Sequence, residues 1–413
     1  MTWTTLTLTV TTPLFNAGAV NGREPDSDKT GIRVPSLRGA LRFWFRALAG
    51  VITGPDLALL SELEGRALGH TGNASPVRFR VSRQPPLTLP SGRHTFTPPP
   101  GLVLEKRVKE PGYWIHYLLG QGLADLGNLR VNRPYVAPGQ PWELKIAFGP
   151  DDRLNSPVLA ALWLLCAYGG LGARTRRGFG GVRITRVDGP LPEPWTARDL
   201  LAPPAMAHGE ITGLRLPVHI LKAAGLLTAY IREELGRPGF SIADWQEPPS
   251  FPVLSRQHTL AVLSTRAFPS WEKTLGHAGE QFRRFRASRD YPGARYRPDI
   301  KTPEWEDVVH GADDHFTLGA LGLPVVYKDG ISVGVEVDGK PSRRASPLWI
   351  RAVGHGTDWR ILSFAFTGSF LPSGQDAPEV VLRGKGPRRT LNVADEDVAE
   401  LARAWMRRLR PAP

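Results

Sequence analysis

"IRVPSLRGALRFWFRALAG", residues 32–50, sets four arginines and three aromatic residues among nineteen positions. A helical wheel sorts them. Leu37, Leu41, Trp44 and Leu48 follow the i, i+4, i+7, i+11 spacing and share one face. Arg38, Arg42 and Arg46 are spaced by four and share another. The pattern predicts an amphipathic helix over 37–49, with Ser36 as N-cap behind Pro35 and Gly50 as the closing glycine. No acid lies between Asp28 and Asp56, so no i,i+4 ion pair neutralises the row. Three like charges on one edge repel one another. A polyanion lying across them, with Arg33 at the helix entrance, would remove that repulsion; the plainer reading is a solvated face.

Alternation and turn signals extend the reading outward from this helix. "TTLTLTVT" alternates as a strand over 4–11, with Leu6, Leu8 and Val10 on one face and Thr5, Thr7, Thr9 and Thr11 on the other. A strand over 142–148, a helix over 157–168 capped by Ser156, and a strand over 181–187 complete the first half. The second half reads as a strand (212–221), a helix, a strand (258–268), a basic aromatic segment, two strands (346–353 and 360–371) and a closing helix (395–409). The predicted fold class is α+β, with two ferredoxin-like, RNA recognition motif-like domains in tandem and a C-terminal helix. The domains are 1–190 and 211–413, joined by a proline-rich linker over 191–210.

Composition narrows the function. The 413 residues carry a net charge of +13, which favours an acidic partner: nucleic acid first, an anionic membrane second. No apolar run approaches the ~20 residues of a membrane span. The N-terminus lacks the positive region and cleavage site of a secretory signal. The single cysteine, Cys166, excludes an intramolecular disulfide and fits a reducing cytoplasm. No cofactor is implied.

A second stretch, "GGLGARTRRGFGG" (169–181), places Arg174, Arg176 and Arg177 among six glycines. A dinucleotide fingerprint fails here, because position 175 is threonine and the loop follows a helix rather than a strand. What remains is a basic loop. Gly170, Gly172 and Gly178 would let the backbone approach phosphate oxygens, and arginine forks would bind the same oxygens. Phe179 either stacks on a base or anchors the loop. In "FRRFRASRDYPGARYRPDIK" (282–301), Arg283, Arg284 and further cations alternate with rings, as single-stranded nucleic acid requires. Arg343 and Arg344 precede the strand "ASPLWIRAV". No catalytic set is visible. "GADDHF" (311–316) is an acid–histidine cluster that reads as a helix cap, and His70 and His116 are general-acid candidates without a visible partner.

Taken together, "TPLFNAG", "RVPSLRGALRFWFRAL" and "GGLGARTRRGFGG" resemble the RAMP superfamily of CRISPR proteins. With "GLP" (322–324), "RRASPLWIRAV" (343–353) and "FLP" (370–372), the chain is similar to one branch of it, the first subunit of the type III-B Cmr effector complex. The resemblance implies a two-domain, non-catalytic RNA-binding subunit with a G-loop. Its partners would be the guide (CRISPR) RNA near its 3′ end, the target RNA and the other Cmr subunits, in antiviral defence. Two rival expectations stand beside this one: a RAMP endoribonuclease using His70, His116 or His315, and a purely structural cap.

Overall fold

The computed structural model describes residues 2–16, 31–89, 112–237, 248–288, 303–327, 330–372, 377–384 and 386–410. It is a mixed α+β structure whose sheets are antiparallel. The first half builds β1 (Trp3–Val10), α1 (Val34–Thr53), α2 (Leu57–Leu68), β2 (Arg78–Arg83), α3 (Tyr113–Leu119), β3 (Pro141–Ala147), α4 (Asp152–Tyr168) and β4 (Val182–Asp188). Its strands lie side by side in the order β2–β3–β1–β4. The alternation read in β1 decides which face is covered: Leu6, Leu8 and Val10 are buried in the same core as Leu37, Leu41 and Trp44 of α1.

Two helix boundaries differ from expectation. α1 begins at Val34 with Arg33 as its N-cap, and Pro35 sits in the first turn, where its missing N–H costs nothing. It then runs through Gly50 to Thr53 and stops at Gly54. Gly50 is an interior residue because a Cβ there would lie 2.7 Å from the Phe251 ring; the glycine admits a crossing segment whose Leu254 N–H donates to the Ala47 carbonyl at 2.9 Å. α4 begins at Asp152, capped by the Asp151 carboxylate, which accepts from Arg153 N–H at 2.9 Å. Ser156 lies inside the helix, and its hydroxyl accepts from the Trp195 indole at 2.9 Å.

The second half contains α5 (Ala197–Leu201), β5 (Thr212–Gly213), α6 (Val218–Glu234), β6 (Thr259–Leu263), α7 (Trp271–Ser288), α8 (Pro303–His310), β7 (Val325–Val326), β8 (Ser332–Val337), β9 (Lys340–Ser342), β10 (Leu348–His355), β11 (Asp358–Phe366), β12 (Glu379–Arg383), β13 (Arg389–Leu391) and α9 (Asp395–Arg407). One sheet is ordered β10–β11–β6–β5 and another β7–β8–β12–β13, with β9 paired to β8. The strand expected over 212–221 is only two residues long. Pro217 has no N–H for a ladder, and the apolar letters after it form α6. The second sheet therefore takes its edge strand β5 from ahead of β6, and the sheet β7–β8–β12–β13 has no counterpart in the sequence reading.

The two cores interlock across 191–210. Ile220, Ala223, Leu227 and Ile231 of α6 pack in the first core with α4, while Ile115, Leu118 and Leu119 of α3 join α7, α9 and β10 in the second. The segment 191–210 itself buries Trp195 and Leu200 and forms α5 with a Thr196–Asp199 capping box. Among the described residues, no helix is long and apolar enough to cross a membrane.

Candidate nucleic-acid interface

The glycine-rich loop between α4 and β4 is held mainly by its own backbone. Leu171 N–H donates to the Gly180 carbonyl at 2.9 Å, Ala173 N–H to Phe15 at 2.8 Å and Gly180 N–H to Pro13 at 2.8 Å. On the far side, Ile350 N–H of β10 donates to the Arg176 carbonyl at 3.1 Å, so the loop joins the first half to the second sheet. This docking accounts for the glycines. Gly172 has φ +82° and a Cβ there would lie 2.3 Å from the Phe15 carbonyl; at Gly180 (φ +70°) it would lie 1.9 Å from that of Leu171. Gly170 abuts the Gly180 carbonyl, and Gly178 abuts Leu275 of α7. The close approach expected for a ligand at these glycines is made by the protein's own backbone and by a leucine. Phe179 is an anchor: it is buried, with its ring 6.0 Å from that of Phe15.

The loop arginines point to a different use. Each has an arginine of the second half for a charged neighbour: Arg174 faces Arg343, Arg176 faces Arg344, and Arg177 faces Arg286 of α7. Aromatic rings form the floor. The Arg176 guanidinium lies 5.0 Å from the Trp349 ring centre and 5.9 Å from Phe43, and Arg177 lies 4.3 Å from Phe282. Burial, then the neighbouring cations, pulls the pKa of Arg176 down to about 10 and that of Arg177 down to about 9. Arg177 Nη1 and Arg176 Nε are buried, and among the described residues neither has a hydrogen-bond partner. Arg174 is exposed beside the C-terminus of α3, and Arg343 is exposed opposite it. Arg344 donates to the Ser369 carbonyl at 2.9 Å, and among the described residues Asp395 is the one acid that acts on its charge. A cluster so composed is short of negative charge.

Other expected site residues are placed differently. Arg42 and Arg46 both bind the Glu64 carboxylate, Arg46 at 3.0 Å, and Arg42 also donates to the Leu68 and Gly69 carbonyls. The row on α1 is therefore partly compensated, one carboxylate serving two of its three arginines. Its acid stands on α2, out of reach of any i,i+4 count. Arg38 leans on β2, donating to the Val77 carbonyl at 3.4 Å beside the Phe79 ring. Arg33 caps α1 through its backbone carbonyl, and its Nε is buried without a partner among the described residues. On α7, Arg284 pairs with Glu280 at 2.7 Å and Arg283 lies over Tyr117. The remainder of the basic aromatic stretch, from Arg289 to Lys301, lies outside the described residues, as does most of the proline-rich excursion at 83–101.

The three candidate histidines do not converge. His116 is fully buried, with Nδ1 2.7 Å from the Gly112 carbonyl; His70 contacts its own turn; His315 pairs with Asp397 at 2.8 Å. Instead of capping a helix, Asp313 accepts from His315 N–H and Asp314 pairs with Arg389. Among the described residues, no cluster of His, Cys, Asp and Glu could hold a metal. Sequence reasoning missed Arg351. It is 4% exposed, donates to the Cys166 carbonyl at 2.9 Å and ties β10 to α4. Its position inside the apolar run "LWIRAV" was the available signal.

Residues 7–183 match the RAMP superfamily. The Cmr subunit Cmr1-1 of Pyrococcus furiosus is 33% identical over 156 residues, which is 38% of this chain and 41% of that protein. Cmr1-2 of the same organism is 27% identical over 180 residues, 42% of this chain and 90% of that protein. The chain thus spans about two fifths of the first of these relatives. The apo crystal structure of Cmr1 from Pyrococcus furiosus superposes over 97% of both chains with a TM-score of 0.52 and 20% identity, a likeness of fold.

Proposed function

We propose that this chain, which carries a RAMP-superfamily region and resembles Cmr1, is a non-catalytic RNA-binding subunit of a type III-B CRISPR effector complex. Its RNA partners are the guide, near the 3′ end, and the target; its protein partners are other Cmr subunits. It works inside the cell, without a cofactor. In this reading the sheet β2–β3–β1–β4 and its helices form one ferredoxin-like unit. The sheet β10–β11–β6–β5 forms a second, with β5 standing in for the last strand.

One observation carries the proposal: Arg174, Arg176 and Arg177 are set against Arg343, Arg344 and Arg286 with almost no acid among them. An RNA backbone supplies the missing charge. Arginine forks and stacked rings bind phosphate and ribose without reading sequence, as a subunit serving many guides requires. The separate placement of His70, His116 and His315 gives no support to a nuclease reading.

The test is binding of the purified chain to labelled single-stranded RNA across a salt series, beside a variant with Arg174, Arg176 and Arg177 changed to Ala. Three phosphate contacts contribute about 2 to the slope of log affinity against log salt on a single strand. The variant should lose about that much. Equal slopes for the two proteins would refute the placement, and absence of RNA binding by both would refute the function.

A further inference from the structure

The outer face of the first sheet is a second basic surface. Its helices cover only the face carrying Leu6, Leu8 and Val10. The other face carries Thr5, Thr7 and Thr9 down the central strand β1. Around this threonine row lie Arg78, Arg80 and Arg83 on the edge strand β2, Lys145 on β3, and Arg183 and Arg186 on the opposite edge strand β4. All of these cations are exposed except Lys145, which is half-buried. Two acids share the face. Glu143 accepts from the Ser82 hydroxyl at 3.2 Å, and Asp188 stands opposite Thr5. Among the described residues, none of the six cations forms an ion pair, although arginines elsewhere in the fold find acids readily.

Register adds a sharper observation. Arg80 and Lys145 are direct cross-strand partners on the β2–β3 ladder. Like charges placed directly opposite repel, because their Cβ atoms are only about 5 Å apart. The sheet keeps this pair beside Arg78, and although Glu143 stands two residues along β3, neither cation forms an ion pair with it. Trp3, 39% exposed, ends the threonine row at the same corner, across β3 from Arg78.

We infer that this face is a separate track for single-stranded RNA, bound through its phosphates and riboses. Six cations against two acids call for a polyanion. Threonine hydroxyls both donate and accept, which suits the ribose 2′-OH. An exposed indole offers a stacking face that accepts any base. Strands about 4.8 Å apart make the sheet roughly 14 Å wide, a flat platform on which an extended strand of a few nucleotides lies crosswise. The track stands on the face turned away from α1 and α4, and it is independent of the loop site.

The test uses the full chain with Arg78, Arg80 and Lys145 changed to Ala, and a long oligouridylate as probe. Because the variant lacks three phosphate-binding cations, a rise from about 50 to about 200 mM salt should weaken wild-type binding about 20-fold more than it weakens the variant. The variant's melting temperature should be unchanged or higher, since the Arg80–Lys145 repulsion is gone. The loop variant separates the two sites: if the loop reading fails and the track stands, that variant binds like wild type while the sheet variant does not. Identical salt slopes for wild type and sheet variant would overturn the inference. So would competition by polyglutamate at concentrations matched in charge to RNA, which would mark an acidic protein as the occupant, or capture by phosphatidylserine vesicles in preference to RNA.

Discussion

Replacing Arg177 by methionine should make the free protein more stable and its RNA binding weaker. The guanidinium lies over Phe282, its Nη1 is buried without a partner among the described residues, and its charged neighbours include Arg286, Arg174 and Arg176. Burial and those neighbours pull its pKa from the ordinary arginine range down to about 9. At about 1.36 kcal/mol per pKa unit, carrying the cation at neutral pH costs on the order of 5 kcal/mol. Methionine loses the ring contact, about 2 kcal/mol, and fills a similar volume. The net gain is about 3 kcal/mol, or roughly 3–4 °C in melting temperature for a chain of this size. The pH dependence follows from the sign. The folded-state pKa of this base is lowered, so its penalty is complete below about pH 9 and fades as pH rises from there toward the ordinary arginine value. The advantage of the variant should therefore hold up to about pH 9 and shrink between there and about pH 11. Scanning calorimetry at several pH values, with RNA titrations of both proteins, checks all three expectations. A lower melting temperature with unchanged RNA affinity would show that Arg177 is a satisfied structural cation and that the loop cluster does not await an anion.

Two further outcomes test the framework around the site. Glu64→Gln should cost about 2 kcal/mol by denaturant titration, because Arg42 and Arg46 both rely on that carboxylate; half-exposure of Arg46 keeps the loss below the roughly 3–5 kcal/mol typical of a fully buried pair. Adding Arg42→Met should recover part of that loss, and a double variant no more stable than Glu64→Gln alone would count against the pairing. Gly180→Ala forces a left-handed backbone on alanine and drives its Cβ into the Leu171 carbonyl, so a loss of about 4 kcal/mol or failure to fold is expected, with accelerated proteolysis at the loop as readout.

How much of this can be read in advance depends on how local the cause is. The β1 alternation, the apolar stripe of α1 and the helix–loop–strand order around residues 169–181 follow from letters a few positions apart, and the structure reproduces them within a few residues. The two shifted helix starts are also local, but a proline near a helix start admits more than one placement. Pro35 falls in the first turn of α1 rather than ahead of the cap, and Pro157 falls inside α4 rather than at its start. The first turn of α6 reads as the end of a strand because "LPVHIL" is apolar without a clear period, and packing of the helix against α4 decides its state.

The site divides in the same way. Sequence alone determined that the chain is basic, that its arginines gather in the α1 row, the glycine loop and the residues around 283 and 343, and that this chemistry suits phosphate. Only the tertiary structure decided which of those arginines are already neutralised. Glu64 comes to Arg42 and Arg46 from another helix, whereas Arg174, Arg176 and Arg177 meet further arginines from more than a hundred residues away. Charge pairing acts over a few ångströms of space and takes no account of distance along the chain, so composition can count the cations while only the fold reveals which of them lack a counter-charge.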